Sequence, residues 1–525
     1  MATNARGPTG LMDEDGRGEG KVALNDAERA PEPGSRVTAA MLVQIGPAMI
    51  AVVACIVTVY LVPALQDYRP WVPGDPVPFW NVLGRPFEDP QVQQETQERV
   101  DKVDTIAREA LADEPEPQIV AEREVVEADV GSVLPPYEPH PDDDKAVEQS
   151  VELFTGHELD HYFEVLARAD AGYAGQVARA VHWGDSAIGV DGITSAIRKR
   201  LQARFGDGGH GFHVMAPPNT SYRHRGIRFR HNDQWGLCFI IQKCRSDGHY
   251  GLGGTTTSSS GGAQSWFAPD PKHSSGHVSR FELYYAARPR GGRLKLQVDD
   301  QEPVYLETAA EQLEDRLHVI EVEDGPHELS VRASGGGRVR TYGVALERDG
   351  PGAVWDGLAL VGAFQRRMLE YDPEHLRGQL RMRRPQLAVL MFGGNDMIRK
   401  VSMETYEQEV REVLRLLKTA SPQMDCLVMA PLDHGQRKGM RIESLPVVAP
   451  MVQAQRRAAE AEGCAFFDTY MAMGGEGAAG RWNRQSPRLI GGDLGHLTAS
   501  GHIVVGEMFY RALMEAYVAY RREGQ

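Results

Sequence analysis

Thirty consecutive residues, Val37 to Gln66, carry no charge and are enclosed by Arg36 and Asp67, with the densest apolar stretch between Ala48 and Val62. About twenty apolar residues cross a bilayer as a helix. The pattern therefore predicts one transmembrane anchor over residues 37–65, behind a polar tail of residues 1–36. Lys21, Arg29 and Arg36 precede the run and Arg69 and Arg85 follow it, a bias that keeps the N-terminus inside. The long polar tail and the length of the run argue against a cleaved signal peptide.

Beyond the run the pattern changes to acidic and proline-rich. Between Asp67 and Lys145 there are 20 acidic against 7 basic residues, and 12 of the chain's 32 prolines. Repulsion and proline both oppose compaction, so residues 66–145 read as a disordered, solvated linker. Inside it Val100, Val103, Ala107, Ala110 and Leu111 mark a short amphipathic helix, read as solvated.

From about Asp160 the chain alternates strand and helix patterns. Gln176 to Trp183 is a strand-like run, and Ile193, Ala196, Ile197, Leu201 and Phe205 follow at helical spacing. Val354 to Leu360 reads as a strand, and Leu387 to Phe392 is continuously apolar, as in a buried parallel strand. Residues 226–350 break this rhythm with short alternating strands at Phe281–Tyr285, Leu294–Val298, Leu317–Val322, Leu329–Val331 and Thr341–Leu346. Turn signals such as Arg290-Gly291-Gly292 and Asp324-Gly325 separate them, which predicts an inserted β-sandwich. Gly251 to Gly262 reads as a mobile loop.

The net charge of −16 excludes an extended nucleic-acid surface, which needs clustered Lys and Arg. Five cysteines are too few for a disulfide framework. Cys238 and Cys244 flank one expected strand, Leu237 to Lys243, whose ends lie about 20 Å apart and beyond disulfide reach. Cys426 and Cys464 each open an expected core strand and read as buried free thiols.

Candidate chemistry lies at the strand ends. Gly184-Asp185-Ser186 sits at a strand-to-helix turn, where a serine hydroxyl is exposed at the carboxyl edge of a sheet. Downstream follow Val361-Gly362-Ala363, then Gly393-Gly394-Asn395-Asp396, then Gly492-Asp493-Leu494-Gly495-His496 ahead of a helix opened by Thr498. As an ordered set these blocks resemble the signatures of the SGNH/GDSL hydrolases, over about residues 146–225 and 350–525. Ala187 departs from the Leu or His common there, and Val361-Gly362 is a loose version of the second block. The resemblance implies an α/β, flavodoxin-like three-layer α/β/α fold split by the sandwich. Residues 146–225 form its first part, 226–350 the insertion and 351–525 the second part.

It also implies roles. Ser186 is the nucleophile, His496 its base and Asp493 the group that orients the imidazole, while the N–H groups of Ser186 and Gly362 and the Asn395 amide form the oxyanion hole. No cofactor and no metal is implied. An α/β-hydrolase would need Gly-x-Ser-x-Gly, and position 188 is Ile. Leu201 to Gly209 and the inserted sandwich are similar to peptidoglycan O-acetylesterases, which implies an O-acetylated glycan of the cell envelope as partner. The expected setting is a bacterial inner membrane with the catalytic domain facing the periplasm or exterior. An O-acetyltransferase on the same triad and a non-catalytic glycan-binding protein are the alternatives.

His157-Glu158-Leu159-Asp160-His161 fits the zinc-protease pattern but lacks a third ligand, since position 164 is Glu. It is set down as structural. Asp433-His434, after the apolar run Cys426 to Ala430, stands at the same sheet edge as a candidate substrate contact. Trp235, Tyr250, Trp266 and Tyr284 are candidates for stacking on sugar rings, with the core as their ordinary place.

Overall fold

The computed structural model describes residues 90–113, 125–127, 133–439 and 441–523, with residues 47, 50–55, 57, 58, 61 and 62 nearer the N-terminus. The chain divides into two compact units, Met1–Pro90 and Gln91–Gln525. In the first, the described residues are helical except Val62 and expose apolar side chains, Ile50 at 71% and Leu61 at 75%. Among the described residues no helix is long and apolar enough to cross a membrane, and most of the anchor expected at residues 37–65 lies outside them.

The second unit is built on a parallel sheet of five strands: β1 (Val177–Gly184), β2 (Gly352–Ala359), β3 (Leu387–Met391), β4 (Asp425–Met429) and β5 (Ala465–Phe467). Their spatial order is β2-β1-β3-β4-β5, the doubly wound flavodoxin order. Nearly every residue of these strands is buried, because helices cover both faces. That is why β3 reads as an unbroken apolar run, while β1 and β2 are interrupted only by the buried Arg179, His182 and Asp356. Helices Asp160–Asp170, Gly192–Phe205, Pro373–Arg383, Met403–Ala420, Val448–Glu462 and Ala499–Glu523 supply the outer layers.

The insertion is a sandwich of two antiparallel sheets, and it begins earlier than residue 226. Strand Gly209–Val214 pairs with Val339–Glu347 and so belongs to it. One sheet runs Glu314–Gly325, Val278–Ala287, Val339–Glu347, Thr255–Ser259, Gly236–Phe239; the other runs Ile227–His231, Gln264–Pro269, Leu329–Ala333, Arg293–Val298, Val304–Glu307. Phe267, Leu283, Leu294, Leu296, Val331 and Val344 form the core between them.

Several expectations are corrected here. Of the linker expected to be solvated and disordered, the described segments 90–113 and 133–145 are docked, and residues 66–89, 114–124 and 128–132 lie outside the described residues. Helix Pro90–Ala112 buries Val103, Ile106, Ala107 and Ala110 in the main core. Burial of Val103 and of Ile106 contributes about 1.5–3 kcal/mol each, and the two alanine methyls contribute less. The acidic residues meet arginines and a tyrosine of the hydrolase domain rather than repelling one another: Glu109 pairs with Arg511 at 2.9 Å, Asp143 with Arg204 at 2.9 Å, and Asp142 accepts from Tyr510 at 2.6 Å. Net charge counted along the sequence could not show these partners, two of which lie 368 and 402 positions away.

The segment read as a mobile loop, Gly251 to Gly262, holds the strand Thr255–Ser259, buried throughout. Four of the strand's five hydroxyls find partners among the described residues, as Thr257 Oγ1 does with Thr341 Oγ1 at 2.6 Å, and Thr256 Oγ1 is the exception. The cysteines are paired as well. The strand at Cys238 ends at Phe239, and a tight turn with Lys243 left-handed folds Cys244 back, so their Cα atoms stand 5.9 Å apart in a disulfide. Cys426 opens β4 and Cys464 directly precedes β5; these neighbouring strands bring their Cα atoms to 4.8 Å in a second disulfide. Of the stacking candidates, Trp235, Tyr250 and Tyr284 are core residues, and Trp266 lies beneath the Arg230 guanidinium at 4.6 Å.

Candidate active site

The carboxyl edge of the sheet gathers the expected residues. At the end of β1 the carbonyl of Met391 on β3 approaches so closely that a Cβ on Gly184 would stand 2.7 Å from it, so only glycine fits. Ser186 follows and opens a single 3-10 turn, Ser186–Ile188, capped by Asp185, whose carboxylate accepts from the Ala187 N–H at 2.9 Å. The long helix starts only at Gly192, so Ser186 sits on a capped turn rather than at the helix terminus expected. Burial pushes the Asp185 carboxyl upward.

Ser186 Oγ lies 3.0 Å from His496 Nε2, and His496 Nδ1 lies 2.7 Å from Asp493 Oδ2. A carboxylate only accepts, so Nδ1 carries a hydrogen and Nε2 is free to take the serine proton. Burial raises the Asp493 carboxyl, but hydrogen bonds from the His496 side chain and from the N–H groups of His496 and Gly495 outweigh it and leave the group below its ordinary value. The loop bearing both residues is pinned. Ile490 bridges Leu497, the Gly491 N–H donates to the His496 carbonyl at 2.8 Å, and the Asn483 amide donates to the Gly491 carbonyl at 2.9 Å.

Asn395 follows β3. Its Nδ2 is buried and has no partner among the described residues. A buried amide left unpaired costs about 1–3 kcal/mol, and this one stands free to donate at the sheet edge. Gly362 lies in the turn after β2 with φ +86, next to Val361, whose Cγ2 would be 3.0 Å from a Cβ on Gly189. Asp396 ties the two loops together by accepting from the Gln365 N–H at 3.0 Å, and burial raises its carboxyl to about 6.

A cavity of about 20 Å³ opens beside Ser186 and His496, walled by Ala187, Met391, Phe392, Pro431, Leu432 and His434. Of the pair Asp433-His434, only the histidine reaches it. Asp433 is buried and accepts from Ser444 and from the Ala479 N–H, at 2.9 and 2.8 Å. Sequence reasoning missed the contribution of the insertion. Ile241, inside the Cys238–Cys244 loop, places Cδ1 3.6 Å from where a Cβ on Gly362 would be. No signal in the sequence links positions 241 and 362.

The zinc-type motif is not assembled. The helix begins at Asp160, leaving His157 outside it and bonded to Asp160 at 2.9 Å, while Glu158 accepts from the Thr155 N–H at 2.7 Å. Among the described residues His249, Asp315 and His375 cluster closely enough to hold an ion. Both ring nitrogens of His375 are engaged, however, one with Asp315 at 2.5 Å and one with the Gly251 N–H at 2.8 Å, so the trio fastens the sandwich to the helix Pro373–Arg383.

Residues 325–503 match the model of the GDSL-like lipase/acylhydrolase family, a stretch containing Gly362, Asn395, Asp493 and His496. The chain carries an SGNH/GDSL hydrolase domain. By class it is a carboxylic-ester hydrolase. In fold it is similar to a solved peptidoglycan O-acetylesterase, at 19% identity over 70% of this chain and 99% of that one, with a TM-score of 0.59. More distant likenesses include a family two carbohydrate esterase from Cellvibrio japonicus, at 12% identity over 45% of this chain and 85% of that one, TM-score 0.17. Another is the salicylyl-acyltransferase SsfX3 of a tetracycline biosynthetic pathway, at 11% identity over 58% and 97%, TM-score 0.27. No curated protein sequence matches the chain.

Proposed function

We propose that the protein removes O-acetyl groups from a cell-envelope polysaccharide through an acyl-enzyme on Ser186. The observation that carries this reading is the Ser186–His496–Asp493 relay, at 3.0 and 2.7 Å, set beside the unpaired Asn395 amide. His496 takes the serine proton as Oγ attacks the acetyl carbonyl. The oxyanion is received by the N–H groups of Ser186 and Gly362 and by Asn395 Nδ2. His496 then gives its proton to the departing sugar oxygen, and water repeats the sequence to release acetate.

The cavity of about 20 Å³ supports a short acyl group, having room for roughly one water-sized group. The side chains of Asp493 and His496 are 55% and 57% exposed, which leaves the acyl-enzyme open to water and favours hydrolysis over transfer. The sandwich occupies the position it has in the glycan-esterase resemblance, which supports an O-acetylated glycan as substrate. The uncharged run at residues 37–65 supports a single-pass anchor with its N-terminus inside. Two disulfides support a catalytic domain outside the cytoplasm.

The test is acetate release from O-acetylated peptidoglycan and cleavage of p-nitrophenyl acetate by the full chain and by Ser186→Ala. The variant is expected to fold and to lose at least about 10³-fold in kcat. Turnover near that of the unmodified chain in Ser186→Ala would overturn the assignment.

A further inference from the structure

Beside the nucleophile stands a histidine that the relay does not use. His434 follows β4 and its ring walls the same cavity as Ser186 and His496. Its backbone is fixed on both sides, because the His434 carbonyl accepts from the Leu445 N–H at 2.7 Å and the Gly435 N–H donates to the Leu494 carbonyl at 2.8 Å. The ring lies against the catalytic loop. A Cβ on Gly495 would stand 2.9 Å from Cδ2 and 3.2 Å from Nε2, so glycine is required there for the imidazole to fit.

The tautomer follows from one contact. His434 Nδ1 is 2.9 Å from the carbonyl oxygen of Leu432, and a carbonyl only accepts, so Nδ1 carries the hydrogen. In the neutral ring Nε2 then presents a lone pair. This nitrogen is turned toward the cavity, 3.4 Å from where a Cβ on Gly394 would be.

The polar groups around the cavity are unevenly divided. In the proposed reaction the Asn395 amide and the N–H groups of Ser186 and Gly362 donate to the oxyanion. The Ser186 hydroxyl is engaged with His496 and Asp185 Oδ1 with the Ala187 N–H, while Asp185 Oδ2 is buried without a partner among the described residues. His434 Nε2 is an acceptor in this wall with no bond to another described residue. A substrate satisfies it by bringing a donor. In the proposed reaction His496 protonates the departing sugar oxygen, so the sugar half of the ester lies on the His496 side of Ser186, where His434 packs.

Resting on the reading of the site as a sugar-acetate esterase, we infer that His434 is a specificity residue whose Nε2 accepts a hydrogen bond from the hydroxyl next to the esterified carbon. The preferred substrate is thus a monoacetylated sugar unit with a free neighbouring hydroxyl. Fully acetylated units and simple alkyl acetates leave Nε2 unpaired.

The test uses the full chain, a monoacetylated methyl glucoside and its analogue with the neighbouring hydroxyl replaced by hydrogen, with p-nitrophenyl acetate as reference. The unmodified enzyme is expected to prefer the hydroxylated ester by about tenfold in kcat/KM, mostly through KM. His434→Phe keeps a flat ring against Gly495 but has no acceptor, and its preference is expected to fall to about one. His434→Gln restores an acceptor oxygen and is expected to recover part of the preference. Discrimination retained in His434→Phe, or absent from the unmodified enzyme, would overturn the inference. Failure on both sugar esters with p-nitrophenyl acetate still cleaved would instead sink the glycan-esterase reading on which it rests.

Discussion

The parallel-sheet half and the inserted sandwich use buried polar groups for opposite ends. In the parallel half the strands are mostly apolar, with Arg179, His182 and Asp356 buried among them, and the candidate chemistry is gathered at their carboxyl ends, partly unpaired, as with Asn395. The sandwich keeps its polar groups inside and mostly satisfied, as in the Thr257–Thr341 pair. Between the halves lies a fully buried charge network. Arg383 of the helix Pro373–Arg383 meets Glu347 of the sandwich and Asp356 of β2, each at 2.6 Å, and Arg179 of β1 joins Glu347 at 2.7 Å. Burial alone would raise the Glu347 carboxyl, and the two arginines hold it well below the usual range instead. The two halves are thus joined by buried, paired charges, while the Asn395 amide at the sheet edge stays unpaired among the described residues.

Removing a paired charge and removing the unpaired amide should then have contrasting signatures. The largest effect is expected from Arg383→Met, which takes the charge partner from the buried Asp356 and one of its arginines from Glu347. Breaking a buried pair by removing one partner costs about 3–5 kcal/mol. Denaturant unfolding should report that loss, while the fraction still folded should keep nearly normal kcat. A stability change below about 1 kcal/mol would show that the halves are held by apolar packing alone.

Asn395→Ala is expected to do the reverse. An amide with no partner in the fold takes little folding energy with it, and its removal relieves an unpaired buried group. Its loss from the oxyanion hole should lower kcat by about 10²–10³-fold with KM nearly unchanged. If stability fell and kcat held, Asn395 would be a structural residue and the oxyanion site would need other donors.

The same contrast explains what was legible in the sequence. Strand-like runs announced β1 and β2 and a continuous apolar run announced β3, and glycines at Gly184 and Gly393 marked places where a Cβ would strike backbone or side chain at 2.7 and 2.8 Å. The sandwich strands of alternating pattern were equally readable. The strand Thr255–Ser259 was not, because five hydroxyl residues flanked by glycines look solvated until their partners across the sheet are known. The acidic stretch failed for a related reason. Asp142, Asp143 and Glu109 read as mutual repulsion, and only the fold brings Tyr510, Arg204 and Arg511 to them. The pairing of Cys238 with Cys244 was hidden by one left-handed residue, Lys243, which turns an expected strand back on itself.

That turn offers the smallest and most discriminating test, because there the sandwich touches the parallel-sheet half. The loop closed by Cys238 and Cys244 carries Ile240, whose N–H donates to the Gly254 carbonyl at 2.8 Å, and Ile241, whose Cδ1 lies against Gly362. Lys243 of the same loop pairs with Glu370, just beyond the Gly362 turn. If the insertion merely rides on the hydrolase domain, replacing both cysteines by serine should lower stability and leave turnover alone. If the loop holds the oxyanion turn in position, small displacements of the Gly362 N–H should weaken transition-state stabilisation while ground-state binding is kept. The expected outcome for Cys238→Ser with Cys244→Ser is therefore a fall in kcat of about three- to tenfold at little change in KM, measured on p-nitrophenyl acetate so that sugar contacts play no part. Mild reduction of the unmodified protein should produce the same fall, since Cys244 is exposed and its bond open to a reductant. The cysteines at the base of β4 and β5 sit at the opposite edge of the sheet, and Cys426→Ser with Cys464→Ser should lower stability without this change in kcat. Equal kinetic losses from the two pairs would mean that turnover follows global stability and that the insertion has no particular hold on the oxyanion turn.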